Sequence, residues 1–484
     1  MSDWPLLDHL LRRAGFGATP AERDYYASMS YNEVVEDLLA FDPATTDIDH
    51  LIGTPGYLGF TARNGFMPNT VIADARQRWI FRMVHSPAPL QEKMALFWHH
   101  HFATAYSKLA GTYGASVGTR MMAAKPSEDT TGTRGQIELF RQLGLGKFSD
   151  LLVEVAKDPA MIVWLDGRTN VRTAPQENFG RELMELFTFG IGNYVEADVY
   201  AAARVFTGWN LAQGGTRNTT TEYYTFSYRA TQHDTAAKTF TFPIYSNGSK
   251  VIPARSGDAG IQDGLDLIAA LAVHPETARR LSRRLWTWFV SEVEAPDEAW
   301  VERIAGVYLS SGTDMRTVMR DVLRSSQFRS SRHHFHRYAW PVEYVVRSLK
   351  EIGHVGFSAN DTLTPMLNMG QQLFEPPDVN GWALGPAWFS TGGMLARMNF
   401  AAALATNQRF ELRTASQPYR QSPQTLIDYA IARLSLPDVP APVYNALVDY
   451  VRAGGTWTGS DTQLLTKAGG VFHLLTGSGE YQFV

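Results

Sequence analysis

Pro175-Gln-Glu-Asn-Phe-Gly-Arg-Glu-Leu-Met-Glu-Leu-Phe-Thr-Phe-Gly190 carries the pattern on which the fold class turns. At 3.6 residues per turn, Phe179, Leu183, Leu186 and Phe187 fall on one side. Asn178, Arg181, Glu182 and Glu185 share a stripe about 100° wide on the other. That spacing predicts a helix over 177–189. The same period recurs outward along the chain. It predicts two helices over 70–102 broken at Ser86-Pro87, and further helices over 136–158, 196–206, 262–273, 275–291, 297–310, 314–327 and 341–352. In the C-terminal part, 392–484, it predicts helices over 392–406, 423–434, 441–453 and 460–476. Thr19-Pro20-Ala-Glu22 reads as a capped helix start. One region departs. Within 212–256, Glu222-Tyr-Tyr-Thr-Phe-Ser-Tyr-Arg229 and Lys238-Thr-Phe-Thr-Phe242 alternate with period two, which predicts short strands in a hairpin insertion. Residues 353–391 read as loop, stiffened by Pro376-Pro377. The expectation is a mainly α, multi-helical protein, one unit over 1–484 with a small β-hairpin insertion.

Composition narrows the function classes. Hydrophobic residues make up 44% and charged residues 19% of the 484, a globular balance. The net charge of −4 gives no sign of a nucleic-acid partner, although Arg279, Arg280, Arg283 and Arg284 make a local basic patch. There is no cysteine, so thiol catalysis and thiolate metal sites are excluded. No run approaches the ~20 apolar residues of a membrane span. The opening Met-Ser-Asp-Trp-Pro-Leu-Leu lacks an export pattern. The expected location is cytoplasmic as the chain stands, and exported if a leader has been removed.

Several segments have the residue types that chemistry needs. On the 177–189 helix, Glu182 and Glu185 are placed for acid–base work or metal binding. Arg181 can hold a carboxylate ionised or grip an anion, and Asn178 can orient either. The alternative is a salt-bridged helix face, with Glu177 to Arg181 and Arg181 to Glu185 pairs. In Phe97-Trp-His-His-His-Phe102, His101 lies with Leu90, Met94 and Phe97 while His99 points nearly opposite. Three adjacent histidines on a helix do not chelate one ion, so at most one or two of them ligate; core histidines are the alternative. His333-His334-Phe-His336 is expected to be exposed. Gln232-His233-Asp234 can supply a general base, a ligand or a turn. Asp378, Trp382 and Trp388, in and beyond Pro376-Pro-Asp-Val-Asn-Gly-Trp382, and Trp209 in Thr207-Gly-Trp209, are either ligand-stacking groups or loop anchors. No phosphate-cradling glycine loop, nucleophile elbow or His-Glu-x-x-His is present.

Together these segments resemble a bacterial family catalogued as domain of unknown function 1800. The resemblance rests on Leu10-Leu-Arg-Arg-Ala-Gly-Phe-Gly-Ala-Thr-Pro20, Glu92-Lys-Met-Ala-Leu-Phe-Trp-His-His-His-Phe-Ala-Thr104 and Asp158-Pro-Ala-Met161. It continues through Glu177–Gly190, Ala203-Arg-Val-Phe-Thr-Gly-Trp209, His233-Asp234, Pro376–Trp382 and Arg397-Met-Asn-Phe400. The family pattern has Asn where this chain has His100. The resemblance implies one family-length helical unit and no established activity. Its members often carry an export signal and are often encoded beside a second exported family of the alkaline-phosphatase-like class, which implies a partner protein. It also implies that the polar segments share one pocket.

Three readings follow. The first is a carboxylate-dependent hydrolase or lyase acting on a carbohydrate polymer, a glycoside hydrolase or polysaccharide lyase. There, Glu182, Glu185, Asp234 and His233 are catalytic, and Asn178, Arg181, Trp209, Asp378, Trp382 and Trp388 bind substrate. It requires no cofactor. The second is an enzyme using a divalent metal, with one or more of His99, His101 and His233 joining Glu182 and Glu185 as ligands. The third is a non-catalytic binding or assembly module that works with a neighbouring gene's product.

Overall fold

The computed structural model describes residues 4–436 and 439–484. Helix dominates, as the periodicity predicts: 24 α-helices stand against two small antiparallel two-stranded sheets among the described residues. Nine helices carry the groups that build the site and its surroundings: α1 (Trp4–Arg13), α2 (Ile72–His85), α3 (Pro89–His101), α4 (Gln136–Leu143), α5 (Asn178–Glu182), α6 (Glu196–Val205), α7 (Pro275–Leu285), α8 (Glu298–Ser310) and α9 (Pro341–Ile352). The β insertion is two separate pairs. β1 (Trp209–Gly214) pairs with β2 (Tyr223–Tyr228), Trp209 opposite Tyr228, and β3 (Lys238–Thr239) pairs with β4 (Val251–Ile252). The strands begin three residues before the Thr-rich stretch because Trp209 is buried against Phe206 and Phe226. The segment read as loop over 353–391 contains a helix, Asn360–Asn368, whose internal Pro365 hides it from the pattern.

Apolar side chains from Leu7 to Val484 form one continuous core. α3 runs through it with all thirteen residues buried, so it has no solvent side, unlike an ordinary amphipathic helix. Its charged residues survive there because each is paired. Glu92 accepts from Arg141 of α4 at 2.8 Å and from the Trp79 indole of α2 at 3.1 Å. Lys93 is paired with Glu343 of α9, which also takes the Arg337 guanidinium at 2.5 Å and the Trp340 backbone N–H at 3.1 Å. Burial raises the cost of the Glu343 charge, but Arg337 and Lys93 outweigh it and hold the carboxyl down at about 2. No helix among the described residues is long and apolar enough to cross a membrane.

Two helices do not end as α-helix. The segment expected as one helix over 177–189 is α5 followed by a π-helical turn, Leu183–Phe187. The segment expected over 275–291 is α7 followed by a second π-turn, Trp286–Val290. A π-turn closes i→i+5, which widens the helix and rotates the following side chains off the α-helical stripe.

Candidate active site

The two π-turns face one cavity of about 570 Å³. Glu185 and Leu186 come from the first turn, Thr287 and Trp288 from the second. Arg280 and Arg284 come from α7, and Phe97 and His100 from α3. The stripe drawn for a straight helix put Leu186 opposite Glu185; the widened turn places both in the cavity wall. Carbonyls at both ends of the first π-turn find side-chain donors. Leu183 O accepts from the Thr188 hydroxyl at 2.6 Å, Phe187 O from His101 at 3.1 Å and Leu186 O from Arg280 Nε at 3.4 Å. Gly190, at φ +84°, closes the segment, and a Cβ there would stand 3.0 Å from Arg280 Nη1. Only glycine lets the guanidinium lie so close.

Glu185 Oε2 accepts the Tyr194 hydroxyl at 2.7 Å, and no described residue bonds to its other oxygen. Burial, and then this hydrogen bond, push the Tyr194 phenol up to about 12, so it stays a donor. Glu182 is half-buried with no hydrogen bond among the described residues. Burial and the neighbouring Glu185 charge raise its carboxyl. Glu185, not Glu182, lines the cavity.

His100 sits at the cavity wall with its ring stacked on Trp288 at 5.7 Å. Its Nδ1 accepts the Trp382 backbone N–H at 3.2 Å, so the proton is on Nε2. Burial, then the Arg284 and Arg337 charges, lower its pKa well below the ordinary value and keep it neutral. The Pro376–Trp382 loop reaches His100 through Gly381.

The basic patch divides by helix geometry. Arg279 is paired with Glu276 at 2.5 Å and with Glu302 of α8 at 2.7 Å, and Arg283 with Glu298 of α8 at 2.6 Å. Arg280 and Arg284, one turn apart on the other face, form no ion pair with any described residue. Arg280 donates to the Leu186 carbonyl at 3.4 Å, and Arg284 makes no hydrogen bond to a described residue. Burial, and then the like charge of Arg280, lower Arg284 to about 10.

The remaining residues singled out from the sequence stand elsewhere. Arg181 pairs with Glu177 at 3.1 Å, as the salt-bridge alternative expects, but its second partner is Glu196 of α6 rather than Glu185. Asn178 donates to Asp166 at 3.3 Å. Asp234 is gripped by Arg204 at 2.7 and 3.2 Å, which holds its carboxyl low. His233 is buried between the Thr207 carbonyl at 2.8 Å and Asp263 at 3.2 Å, beside Lys238. None of these lines the Glu185 cavity. Trp209 packs inside the β insertion; Trp382 and Trp388, both buried, border a separate hollow of about 270 Å³. Asp378 is exposed and its carboxylate accepts the Asn380 N–H at 2.7 Å, fixing the turn. His99 is sealed among Trp79, Phe374 and Trp382 with neither ring nitrogen bonded, and burial lowers it to about 3. His101 spends Nε2–H on the Phe187 carbonyl. Among the described residues no three His, Cys, Asp or Glu side chains group as a metal site would need. His333, expected outside, is buried and bonds the Gln327 carbonyl at 2.7 Å.

The cavity thus joins one carboxylate foreseen from sequence, Glu185, to His100 of the histidine run, to Arg280 and Arg284 of the basic patch, and to Trp288, which no motif marks. The four-arginine patch was the available signal. The model of a family described as "Protein of unknown function (DUF1800)" matches residues 9–483. Comparison with curated proteins and with solved structures finds no match to the chain.

Proposed function

Since the chain belongs to the DUF1800 family, whose description assigns no activity, we propose a function from its own residues: a carboxylate-dependent hydrolase or lyase in which Glu185 is the acid–base group. One observation carries the reading. The two π-helical turns among the described residues, a rare local structure, both open onto this one cavity and deliver Glu185, Thr287 and Trp288 to it. Widened turns forgo regular helix bonding, and such turns concentrate where side chains must be re-aimed for function. Glu185 has one oxygen held by Tyr194 and one free to take or give a proton. His100 is a neutral donor through Nε2–H, suited to an oxygen on which charge develops. Trp288 and Phe97 give the cavity an apolar wall for a ring.

The metal-dependent alternative lacks a grouped donor set among the described residues. The carbohydrate part of the proposal puts the sugar-binding role at Trp288, which lines the Glu185 cavity, rather than at Trp209, Trp382 and Trp388, which do not. The test is turnover of a panel of neutral and acidic polysaccharides by native protein and by Glu185→Gln. General acid–base catalysis is worth roughly 10²–10⁴-fold, so the variant should lose that much with an unchanged melting temperature. A Glu185→Gln variant as active as native protein overturns the assignment.

A further inference from the structure

The geometry points to an oxyanion site in the same cavity: Arg284 and Arg280 hold a carboxylate or phosphate group of the ligand beside Glu185. This rests on the cavity being the working site, and deepens that reading by naming the ligand's charge class.

The argument starts from the helix. Arg279, Arg280, Arg283 and Arg284 occupy two faces of α7, and α8 supplies Glu298 and Glu302 to one face only. The other face is left with two guanidinium groups one turn apart and no carboxylate paired to either among the described residues. Like charges at i,i+4 repel, and a recessed guanidinium without a counter-ion is costly. Elsewhere buried guanidinium groups find partners: Arg82, Arg120, Arg141 and Arg347 each have a carboxylate within 3 Å, while Arg13 and Arg397 have none and donate to the His333 and Ala339 carbonyls at 2.9 and 2.7 Å. Arg284 has neither a carboxylate nor a hydrogen bond among the described residues, and with Arg280 it lines a cavity of about 570 Å³ whose charged groups other than Glu185, namely Glu276 and Arg283, are already paired with Arg279 and Glu298.

The two carboxylates in the cavity wall do not fill the gap: Glu276 is taken by Arg279 at 2.5 Å. Glu185 attracts Arg280 from beyond ion-pair distance and is tied to Tyr194. Burial, and then the repulsion from Arg280, bring Arg284 to about 10, so it is still cationic near neutral pH. Two planar forks, with the His100 Nε2–H as a third donor, suit the bidentate geometry of an oxyanion. Gly190 keeps the Arg280 guanidinium free of a side chain at its tip. The ligand class is therefore an anionic organic molecule, a uronate-type sugar or a phosphorylated one, rather than a neutral polymer.

The test is thermal melting with inorganic phosphate, with D-glucuronate and with neutral glucose, at matched ionic strength, on native protein, Arg284→Met, Arg284→Lys and Glu185→Gln. Native protein should be stabilised by phosphate or by glucuronate and not by glucose; which of the two works identifies the oxyanion. Arg284→Met should weaken that binding about 10- to 100-fold, with Arg284→Lys between. Glu185→Gln should keep it. Without ligand, Arg284→Met should melt no lower than native protein, because it removes an unpaired charge and keeps an apolar stem. The inference is overturned if neither anion stabilises native protein, if Arg284→Met binds as well as native, or if Arg284→Met melts lower unliganded, which would make Arg284 a strut. Failure of the Glu185 assignment reads out separately, as full turnover by Glu185→Gln with anion binding intact.

Discussion

Two clusters of cations meet at Trp288, one buried and one half-buried. On one side Arg337 lies 4.6 Å from the indole centroid and pairs with Glu343, which also neutralises Lys93. On the other, Trp288 lines the cavity beside Arg280 and Arg284, which have no carboxylate paired to them among the described residues. The first cluster is closed: Lys93 and Arg337 share the Glu343 carboxylate, and all three are buried. The second is open, with cations facing a void. Closed networks hold a fold together because breaking one strands a charge. An open set of like charges stabilises nothing until something else completes it. Burial alone does not set Arg284 apart, since Arg13 and Arg397 are buried without a carboxylate too; they donate to backbone carbonyls, and Arg284 makes no hydrogen bond to a described residue.

The strongest way to break the comparison is to open the closed cluster. Glu343→Gln removes the anion between Lys93 and Arg337 and leaves both cations buried without it. That should cost ~3–5 kcal/mol, read as a lower denaturation midpoint in urea at unchanged slope. Because the Glu343 carboxyl is held at about 2 when folded, its contribution is complete above the ordinary carboxylate pKa and is lost as pH falls from there toward about 2. The native-minus-variant difference should therefore shrink in that acid window. A loss under ~1 kcal/mol at neutral pH would show the cluster to be no more complete than the cavity side.

The fold was largely legible in the sequence and the site was not. The break at Ser86-Pro87 appears as two helices, Ile72–His85 and Pro89–His101, because proline forbids continuation and the apolar period is clear on both sides. Alternating Thr and aromatics around Tyr223–Tyr228 did mark strands. A π-turn leaves no such mark: an extra residue in one turn changes neither composition nor apolar content, so 177–189 and 275–291 both read as unbroken helix. Arg279 to Arg284 is visible as a basic patch, but which pair is neutralised depends on Glu298 and Glu302 from a helix that only the tertiary structure sets alongside. His100 was passed over because the argument about helix faces assumes a solvent side, and α3 has none. The tryptophans misled for a related reason: the residue type that stacks on sugars is also the one that fills cores.

A second prediction concerns His99, an uncompensated polar group on the structural side. Its folded pKa of about 3 lies below the unfolded value of about 6.5. The unfolded chain therefore binds a proton that the folded one refuses. His99's support is complete above pH ~6.5 and is lost as pH falls toward 3, at about 1.4 kcal/mol per pH unit, or about 2 kcal/mol by pH 5. His99→Leu, an apolar side chain in an aromatic box, should remove about 2 kcal/mol of the urea stability lost between pH 6.5 and 5, leaving the share of His9, His85, His100 and His101, without loss at pH 7. An unchanged slope would mean that the ring nitrogens have partners when folded.

The smallest effect asks whether the structural loop is coupled to the open cavity. Gly381, at φ +87°, presses so close to α3 that a Cβ would stand 2.3 Å from His100 Nδ1 and 2.6 Å from the His100 carbonyl. Gly56, at φ +90°, has nothing within 4 Å of the same position. Alanine at either site bears the left-handed backbone cost of ~1–2 kcal/mol. Only Gly381→Ala must also push the loop off His100, breaking the Trp382 N–H to Nδ1 bond that sets the proton on Nε2. Gly381→Ala should thus lose about 1 kcal/mol more than Gly56→Ala and weaken anion binding at Arg284, while Gly56→Ala leaves binding alone. Equal losses with equal binding would detach the Pro376–Trp382 loop from the cavity and leave it as packing.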